Sequence, residues 1–241
     1  MSERAVCLLY AKMPEHRYRV AQSERIVREM LERVQAPYVA YSAGKDSEVV
    51  LDLVRRQMPF TPALYGDDAW CLPETDAQLV RTPNLRRVAM RVEHAEWFTA
   101  HEDAPPEDAE WLGDAHPAWA AELGYDGCFL GLRTDENARR RLLLRQRGAT
   151  FYSERRKLWI CCPLAHWSVR DVWAYILSRD IAYNTAYDVL ERIGVPLAQQ
   201  RIGPLANERV LGRGQLAILK RGWSDLFNRF AERYPEARLY V

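Results

Sequence analysis

Lysine is scarce in this chain. Of 34 basic residues among 241, only Lys12, Lys45, Lys157 and Lys220 are lysines, so a lysine in a short polar loop stands out against an arginine background. Long apolar runs are also lacking: no stretch of about 18 apolar residues exists. The first twenty residues carry Glu3, Arg4, Lys12, Glu15, Arg17 and Arg19. Neither a membrane span nor a secretory signal is expected, which points to a cytoplasmic protein. Cysteine is sparse and unpaired in pattern, with Cys7, Cys71, Cys128, Cys161 and Cys162 giving an odd count and no C-x-x-C. That spacing argues against a disulfide framework and a paired zinc site and favours reduced, buried thiols. Cys161-Cys162 ends an apolar run; an iron–sulfur cluster needs four thiolates and the other three are scattered, so the pair reads as strand core and no cluster is expected.

What is present is charge, strongly segregated behind a formal net charge of +1. From Val92 to Leu132 there is no Lys or Arg against ten carboxylates, whereas Arg133 to Lys157 holds nine basic residues against Asp135, Glu136 and Glu154. Residues 101–118 read as an acidic, proline-containing insertion. His94, His101 and His116 lie in or near it without tight ligand spacing, which favours a solvated loop over a metal site.

Periodicity alternates helix with strand. Residues 23–34 read as a helix capped by Ser23, with Ile26, Val27, Met30, Leu31 and Val34 on one face. Strands are expected at Pro37–Tyr41, Phe60–Tyr65, Leu85–Val92, Cys128–Leu132 and Leu158–Cys162, with helices between several of them. This alternation predicts a parallel sheet, whose ligands lie beyond the carboxyl ends of the strands. Leu216, Leu219, Trp223, Leu226, Phe227 and Phe230 fall at helical spacing and predict packing helices near the end of the chain.

The most telling residues are Ser42-Ala43-Gly44-Lys45-Asp46-Ser47, between an apolar strand and a helix pattern at Val49, Val50, Leu53 and Val54. The first turn of a helix has unclaimed N–H groups and a partial positive charge, so a phosphate is its natural occupant. Gly44 permits close approach, Ser42 and Ser47 supply hydroxyls, and Lys45 supplies a point charge. The common nucleotide P-loop is excluded, because its first glycine position holds Val39 and its Ser/Thr position holds Asp46. The blander alternative is a turn in which Asp46 or Ser47 caps a surface helix.

Three further elements follow expected strands. Gly66-Asp67-Asp68 with Pro73-Glu74-Thr75 offers either Mg²⁺ ligands or a solvated turn with a helix cap. Gly131-Leu132-Arg133-Thr134-Asp135-Glu136 offers a close backbone approach at Gly131, a bidentate arginine at Arg133, and a Glu136–Arg140 supporting pair. In the third, Ser168 with Asp171 approximates a capping box over Val169, Val172, Trp173 and Ile176, and Asn184, Tyr187 and Asp188 follow.

In order, S-x-G-K-D-S, D-D with P-E-T, G-x-R-x-x-E-x-x-R, P-L-A-x-W-S-x-x-D-V-W-x-Y-I and Y-N-x-x-Y-D resemble the phosphoadenosine phosphosulfate reductase family of the adenine nucleotide alpha hydrolases, over about Pro37 to Asp188. The resemblance implies an α/β fold: a three-layer, Rossmann-like, five-stranded parallel sheet with helices on both faces, here in residues 1–190, with a small C-terminal helical extension over 191–241. It implies an adenine nucleotide across the strand ends, held by Ser42, Ala43, Gly44, Lys45, Asp46, Ser47, Asp67, Gly131, Arg133 and Glu136. Lys45, Asp46 and Arg133 would be the catalytic residues, and Asp46 or Asp67 the ligand of Mg²⁺. One departure matters: the reductases use a late cysteine, and no cysteine follows Cys162. The expected activity is therefore cleavage of ATP to an adenylate and pyrophosphate to activate an acceptor. Sulfur transfer to a nucleic acid (with the Arg139 to Lys157 stretch tracking a backbone), a sulfonucleotide reductase-like protein, and a non-catalytic nucleotide-binding subunit are the competing readings. A homodimer or a partner subunit fits each of them.

Overall fold

The computed structural model describes residues 3–67, 70–89, 120, 123–154, 156–203 and 214–241. Asp68, the acidic insertion at 101–118, and His94, His101 and His116 lie outside them. Six strands form one sheet in the order β3-β2-β1-β4-β6-β5. They are β1 (Pro37–Ala40), β2 (Ala63–Asp67), β3 (Leu85–Ala89), β4 (Gly127–Phe129), β5 (Thr150–Ser153) and β6 (Leu158–Cys161). The helices are α1 (Glu3–Tyr10), α2 (Pro14–Leu31), α3 (Lys45–Arg55), α4 (Pro73–Arg81), α5 (Ala138–Arg147), α6 (Val169–Ser178), α7 (Ala186–Arg192), α8 (Gln215–Gly222) and α9 (Ser224–Arg233).

The five expected strands are all present and run parallel through β3-β2-β1-β4-β6. The count of five is corrected to six: β5 joins the edge antiparallel to β6, with Phe151 opposite Ile160 and Ser153 opposite Leu158. Its sequence, Thr-Phe-Tyr-Ser, lies in the arginine-rich stretch, and only Ser153 is fully buried, so it carries little of the alternation that marks a strand.

Side-chain alternation with period two builds two cores, one on each face of the sheet. Val39, Tyr41, Ala63, Tyr65, Phe129 and Cys161 point to one face, where they pack with α2, α3 and α6 residues such as Val27, Met30, Val50, Leu53 and Trp173. Tyr38, Leu64, Cys128 and Leu158 point to the other with Ala120. There Leu144 of α5 packs on Ile160 and Cys162. Helices thus cover both faces. Cys161 sits in the first core and Cys162 in the second, and burial pushes the Cys161 thiol up to about 12.

The N-terminal helix is longer than its apolar stripe suggested, running from Pro14 rather than Ser23. Ser23 is no cap: it is buried in mid-helix, donates to the Pro163 carbonyl (2.7 Å) and accepts from Trp167 Nε1 (2.9 Å). The polar first half of α2 hid this extension, because its anchors are polar. His16 Nδ1 lies 3.3 Å from Asp171 Oδ1, and Arg19 lies 3.3 Å from Oδ2. The same Asp171 forms the expected capping box of α6 with Ser168.

The C-terminal helices are present as expected. Leu216, Leu219, Leu226, Phe227 and Phe230 form a cluster with Leu72 and Ala186, so α8 and α9 pack beside α7 and the start of α4. No helix among the described residues is long and apolar enough to cross a membrane.

Burial alone would raise the Asp171 pKa, but the hydrogen bonds from His16 and Ser168 and the Arg19 charge outweigh it and hold the carboxyl at about 2. A folded-state value below the ordinary one gives stability that is present above about pH 4 and lost as pH falls toward 2. Asp171→Asn should cost about 2 kcal/mol at pH 7 in urea unfolding, with the gap to wild type narrowing below about pH 4. A gap that is independent of pH would contradict this role.

Candidate functional site

The strand order reverses between β1 and β4: the chain leaves β1 toward β2 and β3 on one side, then returns to place β4 and β6 on the other. The loops after β1 and β4 therefore splay apart at their carboxyl ends, the usual ligand crevice of such sheets. Ser42–Ser47 follows β1, and Gly131–Glu136 follows β4.

The first loop is held in a conformation that the chain would not choose unaided. Ala43 is fully buried with φ of 54°, a left-handed setting that disfavours a side chain by roughly 1–2 kcal/mol. Gly44 then enters α3, so the expected cap at Asp46 or Ser47 gives way to Gly44 with no side-chain cap. Ser47 instead braces the loop. Its Oγ donates to the Gly44 carbonyl (2.9 Å) and accepts from the Ser42 N–H (3.2 Å). Helix geometry leaves the N–H groups of Lys45, Asp46 and Ser47 without intrahelical acceptors. That of Lys45 is donated to the Tyr187 hydroxyl (3.0 Å).

The electrostatic centre of the site is Asp46. Its Oδ1 accepts from Arg133 Nε at 2.6 Å, and its Oδ2 lies 3.1 Å from Lys45 Nζ. Burial would raise the Asp46 pKa, but the Lys45 and Arg133 charges outweigh it and hold the carboxyl below its ordinary value. For Lys45 burial acts downward and is overcome by Asp46 and Tyr187, leaving the ammonium's pKa raised. Lys45 and Asp46 are thus both charged at neutral pH. Lys45 is 4% exposed and also donates to the Gln200 carbonyl at 3.2 Å.

Arg133 is equally fixed. Its N–H donates to Glu136 Oε2 (3.0 Å), and Nη1 reaches the Trp167 carbonyl (3.4 Å). Glu136 also forms the expected ion pair with Arg140. Gly131 lets the two loops approach: a Cβ there would lie 3.1 Å from the Asp46 backbone carbon and Cβ. The structure therefore brings Gly44, Lys45, Asp46, Ser47, Gly131, Arg133 and Glu136 together, with Ala43 buried beneath and Ser42 exposed at the mouth.

Asp67 ends the neighbouring strand β2, 30% exposed and 3.7 Å from Arg87. Of the two metal candidates, Asp46 does not fit a divalent ion, since both its oxygens already face cations. Mg²⁺ commonly takes one or two carboxylates and completes its shell with water and phosphate oxygens, so Asp67 would supply only part of such a shell. Among the described residues no group of three or more His, Cys, Asp or Glu is arranged to hold a metal by itself.

Several expected elements serve architecture. Asn184 is fully buried, donates to Thr75 Oγ1 (2.9 Å) and accepts from Ala186 N (3.0 Å), tying α7 to α4. Glu74 accepts from Trp223 Nε1 (2.9 Å). Asp188 pairs with Arg4 of α1. Two groups escaped sequence reasoning as parts of the site: the Tyr187 hydroxyl on the loop and the Gln200 carbonyl on Lys45. Tyr187 stood in a recognised element, but nothing in its spacing aims the hydroxyl at Lys45; the Gln200 contact is made by backbone and has no residue signature.

These features define an α/β protein with a cationic, helix-capped loop at the switch point of a parallel sheet. Residues 36–195 match the family model described as the phosphoadenosine phosphosulfate reductase domain, well over half the chain, and the protein belongs to that family. It is similar to phosphoadenosine 5'-phosphosulfate reductase of Gloeobacter violaceus, 26% identical over 160 residues that span 62% of this chain and 65% of that one, just short of two thirds. It is also similar to sulfate adenylyltransferase subunit 2 of Shewanella oneidensis, 28% identical over 221 residues, 76% of this chain and 70% of that one. Among solved structures, the Candida auris phosphoadenylyl-sulfate reductase in its phosphate complex aligns with a TM-score of 0.53 at 22% identity, covering 76% of this chain and 87% of that one. Candida glabrata FMN adenylyltransferase in complex with ATP aligns at 0.51 and 11% identity, covering 76% and 65%. Both structural likenesses are of fold.

Removing the shared carboxylate leaves two buried cations facing each other. Asp46→Asn should cost about 3 kcal/mol in urea unfolding at pH 7, by the usual cost of breaking a buried ion pair. An unchanged unfolding midpoint would show that Lys45 and Arg133 do not depend on Asp46.

Proposed function

We propose that this protein binds ATP with its polyphosphate over the Ser42–Ser47 loop and cleaves it between the alpha and beta phosphates, transferring the adenylyl group to an acceptor. The observation that carries this reading is the convergence of Lys45 and Arg133 on the single carboxylate of Asp46 at the first turn of α3. An acceptor oxygen attacks the alpha phosphorus, the bond to the bridging oxygen breaks, and pyrophosphate departs with the bonding pair. The chain's part is electrostatic: preorganised donors and cations meet the charge that develops on the leaving group. Lys45 and the free N–H groups of Asp46 and Ser47 bind the departing phosphates, and Arg133 neutralises charge nearer the alpha phosphate. Asp46 keeps Lys45 protonated and holds both cations in place without substrate. Mg²⁺ held by Asp67 and the phosphates would add charge stabilisation as a Lewis acid.

Thiol chemistry is less favoured. Cys7, Cys128, Cys161 and Cys162 are buried, and burial pushes the Cys128 and Cys161 thiols up to about 12, which suppresses the nucleophilic thiolate. Similarity to sulfate adenylyltransferase subunit 2, named as one subunit of an enzyme, supports adenylyl transfer and a partner subunit for this chain too. We take residues 1–190 as the nucleotide domain and 191–241 as a small helical extension.

The test is pyrophosphate release from Mg·ATP by wild type and Lys45→Ala, with adenylyl sulfate and its 3'-phosphorylated form as competing ligands. Release that falls about 100-fold or more in the variant is expected, the usual cost of losing one transition-state donor. Tight sulfonucleotide binding without ATP cleavage would overturn the proposal in favour of sulfonucleotide chemistry.

A further inference from the structure

The backbone after α7 does not leave the site; it crosses it. Following a 3-10 turn at Leu197–Gln199, Gln200 gives its carbonyl to Lys45 Nζ at 3.2 Å. A Cβ on Gly44 would lie 3.7 Å from the Ile202 carbonyl. Gln200 is 2% exposed and anchors the crossing from below, with Nε2 donating to the Val195 carbonyl (3.0 Å). Between Gln200 and Ile202 stands Arg201. Its Nη1 is 3.8 Å from Glu136 Oε1, and its Nη2 lies 3.4 Å from the Glu136 carbonyl.

We infer that Arg201 is a third cation of the anion site, one that binds the terminal phosphates of the nucleotide. The inference rests on the reading that the Ser42–Ser47 loop takes a polyphosphate. Three observations support it. The Gln200 carbonyl on Lys45 and the Ile202 carbonyl facing Gly44 place the backbone on either side of Arg201 beside the loop. Glu136 is shared: it already accepts the Arg133 N–H and pairs with Arg140, so a move by Arg201 does not strand a buried carboxylate. Finally, the Arg201 side chain is 35% exposed while Glu136 is 9% exposed, so an incoming anion can reach the arginine. A guanidinium matches phosphate with paired N–H donors in a fixed fork.

The arginine would thus give the loop what Lys45 and Arg133 cannot supply from beneath: a cation on the solvent side that closes over the polyphosphate. The backbone contact of Gln200 with Lys45 would yield at the same moment, since the ammonium turns to phosphate.

The experiment is calorimetric titration of the full chain with inorganic pyrophosphate and separately with AMP, for wild type, Arg201→Ala, Arg201→Lys and Lys45→Ala, with melting temperatures alongside. Arg201→Ala should bind pyrophosphate roughly 10-fold more weakly, AMP as wild type does, and melt at the wild-type temperature, while Arg201→Lys recovers part of the affinity. Wild-type pyrophosphate affinity in Arg201→Ala, with Lys45→Ala impaired, would overturn the role of Arg201 and leave the loop reading intact. Equal weakening toward both ligands, or a lowered melting temperature restored by lysine without affinity, would assign Arg201 a structural role and overturn the inference. Wild type that does not bind pyrophosphate would remove the loop reading and this inference together.

Discussion

Everything in the site depends on one carboxylate holding two cations. Lys45 and Asp46 are adjacent at the start of α3, whereas Arg133 arrives from the exit of β4. Without Asp46 the two cations would repel across a space largely closed to water, and neither desolvation cost would be recovered. With it, the loop after β1 is tied to the loop after β4 across the place where the strand order reverses. The remaining contacts refine this tie. Glu136 and the Trp167 carbonyl orient Arg133 from its own side, while Tyr187 and the Gln200 carbonyl hold Lys45 from the C-terminal side.

The arrangement explains why parts distant in sequence belong to one unit. Trp167 hydrogen-bonds to Ser23 through its indole and offers its carbonyl to Arg133, so α2 and the segment before α6 set the arginine's position. Asp171, buried beneath Tyr10, His16 and Arg19, secures that segment by capping α6. A charge network of this kind contributes little net stability when complete and is costly when broken, which suits a site that exchanges an internal counter-ion for a bound anion. In the proposed reaction the phosphates take over part of the role of Asp46 as Lys45 turns from the Gln200 carbonyl toward them.

Much of this was legible in the sequence, for physical reasons that differ between elements. The loop could be read because a glycine, a lysine and two serines after an apolar strand have few other uses, and the central strands because a strand covered on both faces must be a continuous apolar run. The capping box of α6 is local and was read directly from Ser168 and Asp171. The edge strand β5 was not, because a half-exposed strand among arginines has no alternation to show. Nor was the start of α2, whose buried contacts run through His16, Ser23 and Arg19 instead of apolar side chains. Asp46 reads from the sequence as a helix cap, a catalytic residue or a metal ligand, and its place as counter-ion to Lys45 and Arg133 shows only once Arg133 approaches through the gap at Gly131. The crossing of Gln200 over Lys45 is written in backbone geometry alone.

The most direct test of the account is a crystal structure of the full chain with an ATP analogue that cannot be cleaved between the alpha and beta phosphates. The account predicts the beta and gamma phosphates at the N-terminus of α3, in contact with Lys45 Nζ, with Arg133 beside the alpha phosphate and the Gln200 carbonyl no longer on the lysine. Phosphates bound elsewhere, with Lys45 still paired to Asp46 and Gln200, would contradict it.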